Sequence, residues 1–144
     1  MLGSAKVSLS LALSGSAVLL AAATALHFPD IDLTEDQRAL LERELEDRVA
    51  DDPVQCIPAG RQLKRMTVIS DDLILYEVGN TIYANTPAGG CPRLERNNTL
   101  VTLRPQQRLC KGDIAQVTDF GIRAGIAGCS FSEFIPYRSV EEDE

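Results

Sequence analysis

Four cysteines, Cys56, Cys91, Cys110 and Cys129, separated by 35, 19 and 19 residues, constrain this chain more than any other feature. No two are close neighbours. A zinc site draws ligand pairs from one turn, as Cys-x-x-Cys does, and a redox pair uses the same vicinal spacing at a helix N-terminus. Neither pattern exists here, so no metal or other cofactor is expected on these thiols. An even cysteine count in a small exported domain instead reads as a disulfide framework.

The N-terminus supplies the export argument. Lys6 is the one charge before a long uncharged run, Val7 to Ala25, that is densest in apolar residues from Ala17 to Ala23. Ala23-Thr24-Ala25 then offers small residues at the two places a signal peptidase requires. The pattern predicts a signal peptide over 1–25, cleaved after Ala25, with Ala23 as the alternative. An uncleaved anchor is the competing reading, but Ser8, Ser10, Ser14 and Ser16 dilute the run, which is near the minimum for a span. The only histidine, His27, then sits beside the cleavage site. No later segment approaches a membrane span, so a periplasmic or secreted product is expected.

The 119 residues from Leu26 to Glu144 suffice for one domain with a modest core. Their charge is uneven. Asp30 to Asp52 holds ten acids against three arginines, and the tail over 141–144 is wholly acidic, whereas Cys56 to Val140 holds ten Lys or Arg against seven acids. Both acidic flanks are expected to be solvated; an acidic flank folded onto a basic face is the alternative. Nucleic-acid binding is not expected, because the seven aromatics (Tyr 3, Phe 4) are not interleaved with arginines.

Periodicity divides the chain further. Over 26–52, Leu33, Leu40, Leu41, Leu45 and Val49 fall near a 3.6-residue repeat, which predicts a helix. Thr34 and Gln37 have the spacing of a capping box, and Glu35 and Asp36 suit the positive end of the helix dipole. From Lys64 the period becomes two. Strands are predicted at 66–69, 73–78, 81–85, 100–104, 114–118 and 131–135. Gly79-Asn80 closes the firmest hairpin, and the sum of residue numbers across that turn sets Tyr76 opposite Tyr83. Gly121, Gly125 and Gly128 mark a mobile loop. The expectation is a mainly β fold: a small six-stranded barrel or rolled antiparallel sheet over 53–140, disulfide-braced, with an N-terminal helical segment.

If successive strands alternate in direction, Cys56 and Cys110 lie at one end of the sheet and Cys91 and Cys129 at the other. A disulfide requires Cα atoms within about 7 Å. Alternation therefore favours Cys56–Cys110 and Cys91–Cys129, although the loops after Cys56 and before Leu100 are long enough to cross over.

No catalytic group stands out. Asp71-Asp72 reads as a turn. Asp113 and Asp119 share a strand face but lie about 20 Å apart, too far to share a proton. Ser130 and Ser132 have no histidine to activate them. Gly121-x-x-x-Gly125-x-x-Gly128 lacks the spacing of a dinucleotide fingerprint. Asn97-Asn98-Thr99 matches a glycosylation pattern. Tyr76 with Tyr83 reads as a sheet-stabilising pair rather than a ligand-stacking one, and Phe131, Phe134 and Tyr137 read as core and rim.

Cys56-Ile57, Tyr83-Ala84-Asn85, Gly90-Cys91-Pro92, Leu109-Cys110-Lys111-Gly112-Asp113, Gly128-Cys129 and Phe134-Ile135-Pro136-Tyr137 together resemble a family of small exported four-cysteine proteins from proteobacteria, sphingomonad-like species among them. The resemblance covers Pro53 to Arg138. It implies an envelope location and a structural role for the cysteines, and it transfers no catalytic residue. The expected function is a non-catalytic binding or structural module for an envelope protein or polymer. The alternative is a small envelope hydrolase or enzyme inhibitor.

Overall fold

The computed structural model describes residues 28, 30–102 and 107–140. The signal segment over 1–25, His27, the last two residues of the strand expected at 100–104, and the acidic tail over 141–144 lie outside these residues.

Among the described residues one short α-helix precedes ten strands. Helix α1 spans Glu35–Glu44. The strands are β1 (Arg48–Ala50), β2 (Cys56–Pro58), β3 (Leu63–Ser70), β4 (Leu73–Val78), β5 (Thr81–Asn85), β6 (Thr99–Thr102), β7 (Arg108–Cys110), β8 (Ile114–Asp119), β9 (Ala124–Ser130) and β10 (Phe134–Ser139). They form a five-stranded sheet in the order β1-β10-β5-β4-β3, a two-stranded sheet β2-β7 and a three-stranded sheet β6-β8-β9. Every pairing among these strands is antiparallel. The fold is mainly β, as expected, but the sheets are open rather than closed into a barrel, and ten strands replace the expected six.

The five-stranded sheet is buried on both faces. Ile74, Tyr76 and Val78 of β4 and Phe134 of β10 face a core with Ile57, Leu109, Val117 and Phe131, which come from the smaller sheets and the loop before β10. Leu73 and Leu75 face the opposite way, onto Leu41 and Leu45 of α1 together with Ile69, Ile82, Ala84 and Tyr137. A strand alternates its side chains between two faces, so β4 needs apolar residues at nearly every position when both faces are covered.

The helix forms where its cap predicts. The Thr34 hydroxyl accepts from the Gln37 amide at 3.3 Å, and the Gln37 side chain accepts from the Thr34 amide at 2.9 Å. It packs on the sheet through Leu41 and Leu45, so this acidic flank is docked rather than free. Arg65 of β3 also pairs with Glu44 at 2.7 Å. The helix is shorter than the apolar stripe implies. Asp47 takes a left-handed φ of 55°, and Val49 enters β1, where it pairs with Arg138.

Strands β3, β4 and β5 follow the predicted hairpins. Tyr76 lies opposite Tyr83, and Val78 opposite Thr81. Only Gly79 uses a positive φ, 58°, which matches a turn with glycine at its first central position.

The last strand differs from expectation because Pro136 does not end it. The Pro136 carbonyl accepts the Asp51 amide at 2.8 Å, so the proline nitrogen also faces that side, beyond the end of β1. No hydrogen bond to β5 is lost, and a proline is tolerated at such a position. The glycine-rich stretch likewise is not a loop throughout: Ala124–Ser130 pairs with β8 as β9. Gly125 and Gly128 stand opposite Thr118 and Gln116, and a Cβ at Gly125 would run into the Gln116 side chain. Cross-strand fit overrides the poor strand propensity of glycine here.

Candidate functional site

The disulfides are Cys56–Cys110 and Cys91–Cys129, with Cα atoms 4.0 Å and 4.9 Å apart. These are the pairs that strand alternation favours, but the first arises by another route. Cys56 and Cys110 are direct partners in the β2–β7 ladder, two short strands that were not predicted. The Lys111 amide bonds the Gln55 carbonyl at 2.7 Å and the Ala59 amide bonds the Gln107 carbonyl at 2.9 Å. Those bonds flank the cysteines and leave them a non-hydrogen-bonded pair, the closer of the two antiparallel pairings. The Cys110 amide turns instead to Asp113 Oδ2 at 2.9 Å. The second disulfide is more deeply buried and joins the loop after β5 to β9.

The acids chosen from the sequence are turn formers. The Asp71 carbonyl accepts the Cys91 amide at 2.7 Å, and the Asp72 amide donates to Ser70 Oγ at 3.2 Å. Asp119 Oδ1 accepts the Gly121 amide at 2.7 Å, and Asp113, at the far end of β8, is buried in the Cys110 turn. The Ser130 carbonyl bonds the Ala88 amide, and the Ser132 carbonyl accepts from Asn85 Nδ2 at 2.8 Å. Asn97 of the glycosylation pattern is exposed in the loop before β6, while Asn98 braces that loop by donating to the Arg93 carbonyl at 2.8 Å. Among the described residues no three His, Cys, Asp or Glu side chains cluster as metal ligands.

One carboxyl has a displaced titration. Hydrogen bonds from Gln55 and Lys111, reinforced by the Lys111 charge, hold Glu133 below the usual glutamate range. Its side chain is 41% exposed. A general acid needs the opposite shift and a sheltered site.

Among the clefts of the molecule, two are lined by described residues alone. One, of about 420 Å³, lies between the chain before α1 and the loop after β5; Asp30, Ile31, Asp72 and Gly90 are among its walls. The other, of about 370 Å³, opens between the five-stranded sheet and strands β6 and β7, and its walls include Leu63, Met66, Tyr76, Leu100 and Leu109. Tyr76 is only 2% exposed. Its ring meets those of Phe131 and Phe134 edge-on, at 6.0 Å and 6.2 Å between centres. Burial pushes its phenol well above the usual range. Tyr76 and Tyr83 do stand opposite each other in the ladder, and Phe131, Phe134 and Tyr137 are core.

The remaining feature is a surface. Of the six large apolar side chains that are exposed among the described residues, Val101, Ile114, Phe120 and Ile122 all lie on β6, β8 or the β8–β9 turn. Phe120 is 67% exposed and Ile122 65%. Among the described residues strand β9 is an edge, bonded to β8 and, at Ser130, to Ala88 by a single bridge, and it carries no charge from Ala124 to Ser130. The glycines of this region mask the signal in the sequence: Phe120 and Ile122, which flank Gly121, look like loop residues until β8 and β9 are seen to pair.

The fold and its surfaces define a disulfide-braced β domain capped by one helix. No family model, curated protein or solved structure matches the chain. Among the described residues no helix is long and apolar enough to cross a membrane.

Proposed function

We propose that this chain is an exported envelope protein that serves as a non-catalytic binding module, and that it meets an envelope protein through the β6-β8-β9 sheet. The observation that carries this reading is the concentration of exposed apolar side chains on that sheet and its turn. Exposed apolar patches mark interaction sites in soluble domains, Phe120 and Ile122 share one turn, and an uncharged edge strand offers unpaired backbone groups to an incoming strand. The Cys91–Cys129 bridge anchors β9 to the core, which lowers the ordering cost of binding. Export is supported by the N-terminal sequence pattern and by disulfides, which persist in oxidising compartments. The resemblance to the proteobacterial exported family points the same way and rests on its sequence motifs.

A photo-crosslinking residue placed at Phe120 in cells should capture one defined envelope protein, and Ile122→Ser should abolish that capture. Absence of capture, together with hydrolysis of envelope polymers by the purified protein, would overturn the proposal. The cleft holding Asp30 and Asp72 is the feature that favours the hydrolase reading, and Asp72→Asn would then remove the activity.

A further inference from the structure

We propose that the cleft between the five-stranded sheet and strands β6 and β7 binds a neutral acyl ester, with the Tyr76 hydroxyl donating to the ester carbonyl. This is a second site, distinct from the exposed Phe120–Ile122 turn, although β6 contributes to it.

The walls determine the body of the ligand. Ala59, Leu63, Met66, Leu100 and Leu109 supply apolar surface, and the volume of about 370 Å³ is that of a site for a small molecule. No Asp, Glu, Lys or Arg is among its described lining residues. An ion entering would lose hydration with no opposite charge to offset the loss. The described walls therefore suit a neutral ligand.

Tyr76 determines the polar contact. Its hydroxyl makes no hydrogen bond to any described residue. The one sealed side-chain polar atom without a partner among the described residues is Asn85 Oδ1. The Tyr76 oxygen is therefore not sealed in the core but opens on the cleft it lines. A ligand that displaces solvent from the cleft must offer this hydroxyl an acceptor or leave it unpaired at a cost, and a carbonyl oxygen supplies that acceptor. Burial keeps the phenol protonated, hence a donor. Contacts with Phe131 and Phe134 fix the ring before the ligand arrives. Thr99, Thr102 and the exposed Gln107 complete the walls with hydrogen-bonding groups suited to the second ester oxygen.

Titration of the isotope-labelled whole protein, followed by amide and methyl resonances, tests this with three probes. Methyl octanoate should give saturable shifts at Leu63, Met66, Leu100 and Leu109. Octanoate should bind at least tenfold more weakly, because no described lining residue carries a charge to pair with it. Toluene fits the apolar walls but has no acceptor oxygen. Tyr76→Phe should weaken methyl octanoate about three- to tenfold, the worth of one neutral hydrogen bond, and leave toluene unchanged. Met66→Trp should fill the cleft and abolish both, with the thermal transition confirming a folded chain. The proposal is overturned if wild-type protein shows no saturable shift with methyl octanoate. It is equally overturned if octanoate binds as well as the ester, or if Tyr76→Phe weakens toluene as much as the ester.

Discussion

Cys56 stands directly across from Cys110 in the β2–β7 ladder, with the Cα atoms 4.0 Å apart. The bond thus clamps a sheet of only two three-residue strands, which is too short to persist unaided. The Cys91–Cys129 bridge works differently, tying a loop to the core.

The two bonds should differ in worth. Their sequence separations, 54 and 38 residues, make the loop-entropy contributions nearly equal, at about 4 kcal/mol each and about 0.3 kcal/mol apart. Burial decides the ranking: Cys91 is fully buried, and replacing that pair by alanine also leaves a cavity. Denaturant unfolding of Cys56→Ala/Cys110→Ala and Cys91→Ala/Cys129→Ala variants should therefore show the larger loss for the second pair. Equal losses would mean that loop closure alone matters.

Helix α1 should be held by its leucines rather than by its charges. Leu41→Ala or Leu45→Ala is expected to cost about 2–5 kcal/mol, as for buried leucines generally. Arg65→Ala removes ion pairs to Glu44 of the helix and to Glu77 of β4, and the arginine side chain is 51% exposed, so about 1 kcal/mol or less is expected for each. Proteolysis of residues 35–44 should accordingly be accelerated by the leucine substitutions and be little affected by salt. Rapid cleavage in high salt alone would show that charge holds the helix.

Gly90 combines a left-handed backbone with a close neighbour. Its φ is 74°, and a Cβ there would collide with Asp72 Oδ1. Gly90→Ala should cost about 1–3 kcal/mol, from backbone strain and crowding together. Adding Asp72→Ala should recover only the crowding part. Full recovery in the double variant would show that the backbone is not strained.

Tyrosine burial predicts an alkaline limit to stability. Desolvation raises the phenols of Tyr76 and Tyr137 above their ordinary value. The folded-state values then exceed the unfolded ones, so the stabilisation is complete below about pH 10 and declines as the pH rises through the folded values. Tyrosinate absorbance should grow together with loss of fold, and Tyr76→Phe should lessen the decline. Glu133 works in the opposite sense. Its folded value is lowered, so its contribution is present above the ordinary carboxyl range and disappears as the pH falls below it. Glu133→Gln should flatten the acid side of the profile slightly and leave the alkaline side alone.

The sequence by itself determined what depends on neighbours along the chain. Thr34 and Gln37 cap the helix because the capping box is closed within four residues. Gly79 and Asn80 set the β4–β5 register because a two-residue turn leaves no slack, and that register places Tyr76 against Tyr83. The mainly β class followed from the period-two pattern. The tertiary structure alone decided what depends on distant partners. Val49 leaves the helical stripe because β10 offers it a ladder. Glycine-rich 124–130 becomes a strand because β8 accepts flat residues opposite Gln116, and β10 continues past Pro136 because the missing donor faces beyond the end of β1. Both clefts and the exposed Phe120–Ile122 turn arise from the same packing. Their residues converge from segments far apart in sequence, and no local pattern encodes the space left between them.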